Sequence, residues 1–365
     1  MKVLVINLDK AIFEESSASL ERLKEYSRFL EKLFVIVWTK EKKTPIVFEN
    51  KLFVYPTNSR TKFFYGFNSF FIAKKILKEN KIDLLFTQDP FETGFCGWLI
   101  AKIFKLPLQF QIHTDFLSPY FWKESLMNKI RVLSAKFLIK RAYCLRVVSE
   151  RIKKSLVANG YSPNSIAVLP IFVDVKKIQG TASAVNLHQK YPQFDFIILT
   201  ASRLTREKNV GLAIKAMAEV FKKYPKTGLV IVGNGPERKN YSLPGNVILE
   251  NAVPFEELIS YYKTADLFLL TSNYEGYGMA VIEAMAAGLP VVMTDVGLAG
   301  EVLINGKEGL VAPVGDVKKL SEAIVSLMAS RSLRKEMAFG ALEKVKQLST
   351  KEEYLKNYKN LLLNE

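Results

Sequence analysis

Short, wholly apolar runs recur along the chain with amphipathic segments between them, and that rhythm restricts the fold more than any other feature. Runs at residues 3–7, 33–38, 82–87, 106–112 and 143–148 read as strands, and segments at 17–32, 67–79, 92–105 and 124–141 read as helices. This is the pattern of βαβ units and predicts a parallel sheet covered by helices on both faces. The rhythm breaks over 170–193, a polar stretch carrying Gly180 and Pro192, which reads as an interdomain linker with some local structure. It resumes with strands at 194–201, 227–233, 247–250, 266–271 and 290–294 and helices at 210–223, 255–263 and 278–287; from 317 onward the tail is helical. A length of 365 residues, at about 150 per domain, fits two such domains. The expected class is therefore α/β: two doubly wound domains, residues 1–175 and 176–350, facing a ligand across a cleft. Sheets of this kind bind ligands outside the carboxyl ends of their strands.

Several functions are excluded at once. The cysteines are Cys96 and Cys144 alone, too few for a disulfide scaffold or a cysteine metal site, and they suit a reducing, cytosolic compartment. Two histidines, His113 and His188, exclude a histidine-rich zinc centre. No apolar run approaches the roughly 18 residues that cross a bilayer, and the N-terminal residues read as a strand rather than a leader. The first strand runs into Asn7-Leu8-Asp9-Lys10, without the glycine fingerprint of a dehydrogenase, and there is no P-loop. Lys plus Arg total 52 against 36 Asp plus Glu, a net charge of +16, and this excess attracts anionic partners. Residues 1–175 hold 28 basic and 16 acidic side chains, so 28 − 16 = +12 of that excess lies in the first half.

Four segments could carry chemistry. In Glu275-Gly276-Tyr277-Gly278-Met279-Ala280, a strand ends in a polar loop and two glycines precede a helix. Glycine lets backbone N–H groups approach a ligand, and the helix N-terminus suits a phosphate. Glu275 in the loop and Glu283 inside the helix could hold the hydroxyls of a hexose and a ribose, although a glycine turn with solvated glutamates fits the same residues. Arg203 and Lys208 follow the first strand of the second domain and could reach an anion, or could form a solvated helix start. Gly233-Asn234-Gly235-Pro236 is a strand followed by a glycine turn that could press backbone against a base or a phosphate. His113 stands at the carboxyl end of another strand, where a structural hydrogen-bonded histidine is the alternative.

Together these segments resemble the retaining glycosyltransferases of family 4, with two Rossmann-like domains in the GT-B fold. Glu275-x7-Glu283, continued by Ala284-Met285-Ala286-Ala287-Gly288-Leu289-Pro290, is the most specific part, with Arg203, Lys208, the Gly233–Pro236 turn and His113 in the family's order. The resemblance implies that Arg203 and Lys208 hold the donor diphosphate and that Glu283 binds the ribose. It implies that Glu275 and the backbone of Gly276, Tyr277, Gly278, Met279 and Ala280 grip the transferred sugar and phosphates. Gly233, Asn234, Gly235, Asn251 and Val253 would border the base, and His113 would lie beside the donor sugar. A terminal helix, 351–365, would pack back on the first domain. The donor is then a nucleotide-diphosphate sugar, with no cofactor and no metal, and transfer retains configuration. The sequence departs from the family where a Gly-Gly loop follows the first strand: here Ser16 and Ser17 stand in Glu14-Glu15-Ser16-Ser17-Ala18.

The first domain is expected to bind the acceptor. Phe63, Phe64, Tyr65, Phe67, Phe70 and Phe71 cluster with Lys62, Lys74 and Lys75, a composition suited to peripheral contact with anionic lipid headgroups at the inner face of a membrane. A core helix with a solvated lysine face is the alternative. The acceptor expected is a lipid-linked saccharide or a glycolipid. Three other functions fit some of the same features: a sugar-nucleotide epimerase, an inert nucleotide-sugar binding protein, and a nucleic-acid-binding protein, the last without any recognised nucleic-acid module. The transferase reading requires Arg203 and Lys208 to face Glu275.

Overall fold

The structure, a computed structural model, describes residues 1–15 and 17–363, the side chain of the last excepted. It forms two compact units: Met1–Leu117, Ser125–Pro170 and Glu352–Glu365 make the first, and Ser118–Glu124 with Ile171–Lys351 make the second. The short insert Ser118–Glu124 thus belongs with the second unit, which a single division at residue 175 does not capture. Within that unit Phe121 meets Tyr274 edge to face at 5.3 Å, and the Tyr274 hydroxyl donates to Glu124 Oε2 at 2.7 Å.

The first unit is built on eight strands: β1 (Lys2–Asn7), β2 (Lys32–Val37), β3 (Ile46–Phe48), β4 (Leu52–Pro56), β5 (Leu84–Thr87), β6 (Leu108–Ile112), β7 (Cys144–Val147) and β8 (Ile166–Val168). Their spatial order is β3-β4-β2-β1-β5-β6-β7-β8, parallel throughout except for the edge pair β3–β4. Val3, Leu4, Val5 and Ile6 of β1 are wholly buried because helices cover both sides of the sheet. Order reverses between β1 and β5, which places the unit's switch point at their carboxyl ends.

The terminal helix Lys351–Leu363 completes this unit through an unusual polar contact. Arg146 of β7 is 3% exposed, and among the described residues no carboxylate pairs with it. Its guanidinium donates to Gln111 Oε1 at 2.9 Å and to the Leu169 carbonyl at 3.2 Å, and lies 5.2 Å from the Tyr358 ring centre. Tyr358 accepts from Gln111 Nε2 at 3.0 Å and stacks on Tyr26 at 4.2 Å. A buried cation left without solvent or counter-ion is costly, so these dipoles and ring faces are what make Arg146 tolerable.

The second unit has six strands, all parallel: β9 (Phe196–Ala201), β10 (Thr227–Val232), β11 (Val247–Glu250), β12 (Leu267–Leu270), β13 (Val291–Thr294) and β14 (Leu310–Ala312). The order β11-β10-β9-β12-β13-β14 reverses between β9 and β12. Parallel neighbours require crossover connections, here helices, and the core gathers residues such as Ile198, Ile231, Leu269 and Val292. The linker region 170–193 contains two short helices, Val175–Gly180 and Leu187–Lys190, capped by Asp174 and Asn186.

Tyr358→Phe removes the acceptor of Gln111 Nε2 and should cost about 1–2 kcal/mol; Tyr358→Ala also opens a cavity beside Arg146 and should cost about 3–5 kcal/mol. Urea unfolding followed by tryptophan fluorescence measures both, and an alanine variant as stable as the parent contradicts the role given to this helix.

Candidate active site

The second unit brings two loops together at its switch point. After β9 the chain passes through Ser202–Thr205 into a 3-10 turn, Arg206–Lys208, and then the left-handed Asn209 (φ 43°), which starts the helix Val210–Lys223. After β12 it runs through Thr271–Gly278 into the helix Met279–Ala286. Thr271 Oγ1 donates to the carbonyls of Lys208 and Asn209, at 3.3 and 3.0 Å. The Asn273 amide donates to the Glu207 carbonyl at 2.7 Å, and Asn209 Nδ2 reaches Asn273 Oδ1 at 2.9 Å. These bonds fix both loops from their backbones.

The product of that lacing is an ion pair. Lys208 Nζ lies 2.5 Å from Glu275 Oε1, and Ser272 Oγ donates to the same oxygen at 2.7 Å. Both side chains are mostly shielded, with 18% and 10% of their areas exposed. Among the described residues nothing else bonds to this carboxylate, so Oε2 remains as an acceptor for a ligand hydroxyl. Gly278 sits at φ 102°, a left-handed backbone open to glycine, and no side chain caps the helix it begins. The first amides of that helix therefore present donors and the positive end of its dipole, a setting for a phosphate.

Arg203 does not join this pair. Its guanidinium is 75% exposed and lies 3.2 Å from Glu207, one helical turn onward, so the requirement that both cations face Glu275 holds for Lys208 alone. Glu283 is held within its helix by Tyr262, whose hydroxyl donates to Oε2 at 2.9 Å; burial raises its pKa and that bond partly offsets the rise. Tyr277 is 3% exposed, and its carbonyl accepts from Leu298 N at 2.9 Å.

The glycines of the next loop have a reason other than the one the sequence suggests. A Cβ on Gly233 would stand 1.9 Å from the Ser202 carbonyl oxygen, and one on Gly235 would stand 2.2 Å from that of Leu204. They allow the loop after β10 to lie on the loop after β9, tied by Leu204 N to the Asn234 carbonyl at 2.9 Å. Arg238 then clamps the ends of β10 and β11, donating to the carbonyls of Gly233, Leu249 and Glu250 at 3.1, 3.1 and 2.9 Å. Beyond that clamp Asn251 is exposed and Val253 partly buried.

In the first unit His113 follows β6, with its Nε2 2.9 Å from Gln88 Oε1. Burial, followed by the nearby Arg146 and Arg22, lowers its pKa to about 3, so it is a neutral imidazole at ordinary pH. A carbonyl oxygen only accepts, which puts the proton on Nε2 and leaves Nδ1 as an acceptor. Ser17 is a helix cap: its hydroxyl accepts from Leu20 N at 3.2 Å at the start of Ala18–Arg28. Ser16 lies outside the described residues.

The sequence alone did not point to Gly297 or Tyr262, and it gave no role to Thr271 and Asn273 at the start of the loop bearing Glu275. A Cβ on Gly297 would meet the Tyr277 carbonyl oxygen at 2.3 Å and Glu275 Cβ at 3.0 Å, so this glycine lets the segment bearing Glu275 settle where it does. The signal available was a glycine shortly after a strand and a polar run, Thr271-Ser272-Asn273, closing an apolar one. Among the described residues no group of three or more His, Cys, Asp or Glu side chains could hold a metal ion.

Two family models match the chain: Glycosyltransferase Family 4 over residues 22–177 and Glycosyl transferases group 1 over residues 187–344. Alpha-monoglucosyldiacylglycerol synthase of Acholeplasma laidlawii is 23% identical over 334 residues, 82% of this chain and 80% of that protein. The protein of the same name from Streptococcus pneumoniae is 27% identical over 62% of this chain, a match that spans 55% of the relative's length. Among solved structures, HepE of Anabaena in complex with UDP-glucose superposes with a TM-score of 0.76 at 18% identity over the whole of both chains, a likeness of fold.

Gly297→Ala should weaken nucleoside-diphosphate binding at least about tenfold, because the Glu275 segment must move to admit a methyl group; isothermal titration reads this, and unchanged affinity contradicts it. For His113 the unfolded chain binds the extra proton between pH 6.5 and the folded value, so its contribution to stability is complete above about pH 6.5 and is lost as pH falls towards 3. With two histidines in the chain, NMR should show one imidazole that stays neutral between about pH 5 and 8; two titrating signals in that range contradict the assignment.

Proposed function

This chain belongs to glycosyltransferase family 4 and has the family's GT-B fold, and on that premise we propose that it moves a hexose from a nucleoside-diphosphate sugar to a hydroxyl of a lipid-anchored acceptor, with retention of configuration. The observation that supports this best is the shielded Lys208–Glu275 pair beside an uncapped helix N-terminus at the β9/β12 switch point. In this reading Lys208 Nζ and the amides at Gly278–Ala280 hold the diphosphate, and the mobile charge of exposed Arg203 swings onto it. Glu275 Oε2 accepts from a hydroxyl of the transferred sugar, and Glu283 accepts from the ribose. The base lies by Gly233, Asn251 and Val253, on backbone that Arg238 holds. For His113 the proposed role is that of an uncharged hydrogen-bonding group.

Breaking the bond between the anomeric carbon and the phosphate oxygen leaves its electron pair on the diphosphate. Fixed donors at that position stabilise the developing charge without reorganising, each worth a few kcal/mol of barrier. The acceptor hydroxyl attacks on the face the diphosphate leaves, and its proton passes to the departing phosphate oxygen. No metal is needed in this scheme, since the cation and the helix amides supply the positive potential. The relatives named for monoglucosyldiacylglycerol synthesis favour a lipid acceptor of the diacylglycerol kind, and the bound donor of HepE makes UDP-glucose the first sugar nucleotide to try.

Lys208→Ala and Glu275→Gln should each lower kcat by about 10² to 10³, with circular dichroism unchanged. Radiolabelled transfer from UDP-glucose and a panel of other nucleotide sugars to diacylglycerol or monoglucosyldiacylglycerol measures this. Full activity of either variant contradicts the assigned roles.

A further inference from the structure

Three neighbouring helices of the first unit leave apolar side chains in water in a way that ordinary surface helices do not. In Leu126–Ile139 the inward face is Val132, Ala135, Leu138 and Ile139, and the outward face should be polar. Instead it carries Leu126, Ile130, Leu133 and Phe137 at spacings of four, three and four, with Leu126 74% and Leu133 61% exposed. On Glu92–Phe104 the outward residues are Phe95, Leu99 and Ile103, each one turn apart. On Tyr65–Glu79 they are Phe67 and Phe71, continued by Phe64 and by Phe63, which is 90% exposed. The three helices are side by side: Phe70 meets Phe104 at 5.9 Å, and Trp98 meets Phe137 edge to face at 5.6 Å. Such a continuous apolar face exceeds the scattered hydrophobics normal on a monomer.

The charges on the same spans decide what covers it. Residues 62–79, 92–105 and 126–141 hold 11 Lys or Arg and two acids, Glu79 and Glu92, a net of 11 − 2 = +9. Glu92 is already engaged by Arg131, at 2.7 Å. A second copy of this chain would set +9 against +9, whereas an anionic bilayer complements both the charge and the apolar stripes. We propose that this three-helix face inserts its Leu126–Phe137 stripe and the Phe63–Phe71 aromatics into an anionic lipid surface, rather than adsorbing to it by charge alone. The proposal rests on the lipid-acceptor reading for its choice of partner, and it adds the residues and the depth of contact: lysines at the headgroups, leucine and phenylalanine below them.

Co-sedimentation of the full chain with phosphatidylglycerol vesicles tests this, with phosphatidylcholine vesicles as the uncharged control. The parent protein should bind the anionic vesicles and keep part of that binding at about 0.5 M salt, where exposed charges are screened within a few ångströms. Leu133→Glu with Phe137→Glu should lose at least about tenfold in binding, as a carboxylate is driven into hydrocarbon. Leu133→Trp should shift its emission to the blue on anionic vesicles alone. Complete release of the parent by salt, equal binding of the glutamate variant, or a dimer that the glutamates dissociate would each overturn the proposal. Nucleoside-diphosphate affinity measured on the same variants separates the two readings: loss of vesicle binding with intact nucleotide binding removes only the membrane face, and the reverse removes only the donor site.

Discussion

The pairing of Lys208 with Glu275 is the interaction on which the arrangement of the second unit's switch point depends. Two charges largely withdrawn from water are tolerated because each is held by the other and by Ser272, and removing either would leave an uncompensated charge. The pair exists because the Thr271 hydroxyl and the Asn273 backbone N–H fasten the loop after β12 to the backbone of the turn ending in Lys208. Gly233 and Gly235 then let the loop after β10 close on Ser202 and Leu204, and Gly297 lets its own segment close on Tyr277 and Glu275, without a Cβ in the way. The result is a fixed cation, a fixed carboxylate and open amides before any ligand arrives, which is the preorganisation that electrostatic catalysis calls for.

The two units divide the charge unequally, and the division matches what each is read to do. The first holds +12 of the net charge over residues 1–175 and directs much of it to three helices with apolar outer stripes. Its buried Arg146 acts internally, on the terminal helix and in adding to the burial that lowers the pKa of His113. The second unit is read to hold one diphosphate with few charges: the shielded Lys208, the helix terminus and the exposed Arg203. A face that must approach many lipid phosphates works by number, while a site for one pyrophosphate works by placement.

Much of the fold was legible because wholly buried parallel strands read as apolar runs: β1, β5, β9 and β12 emerge from the sequence within a residue or two. What was not legible is short or depends on distant partners. β3 and β4 hide among charged residues and a tight turn at Glu49-Asn50, where both φ values are positive. The helix read over 124–141 is interrupted at Ser125, whose hydroxyl caps Leu126–Ile139 by accepting from Asn128 N at 3.0 Å. At the site, Lys208, Glu275 and Glu283 carried a recognisable spacing, but the clash that requires Gly297 comes from a carbonyl 20 residues earlier in the chain, and a glycine shortly after a strand is its one local trace. The outward leucines of 126–139 were invisible for a related reason: periodicity announces a helix, and only its neighbours determine which of two apolar faces stays uncovered.

A crystal structure of the protein with a nucleoside diphosphate tests the central claim most directly. The account predicts phosphate oxygens within hydrogen-bond reach of Lys208 Nζ and of the amides that open the helix Met279–Ala286, with the ribose beside Glu283. A diphosphate bound elsewhere, with that helix start and Lys208 left as they are, would contradict it.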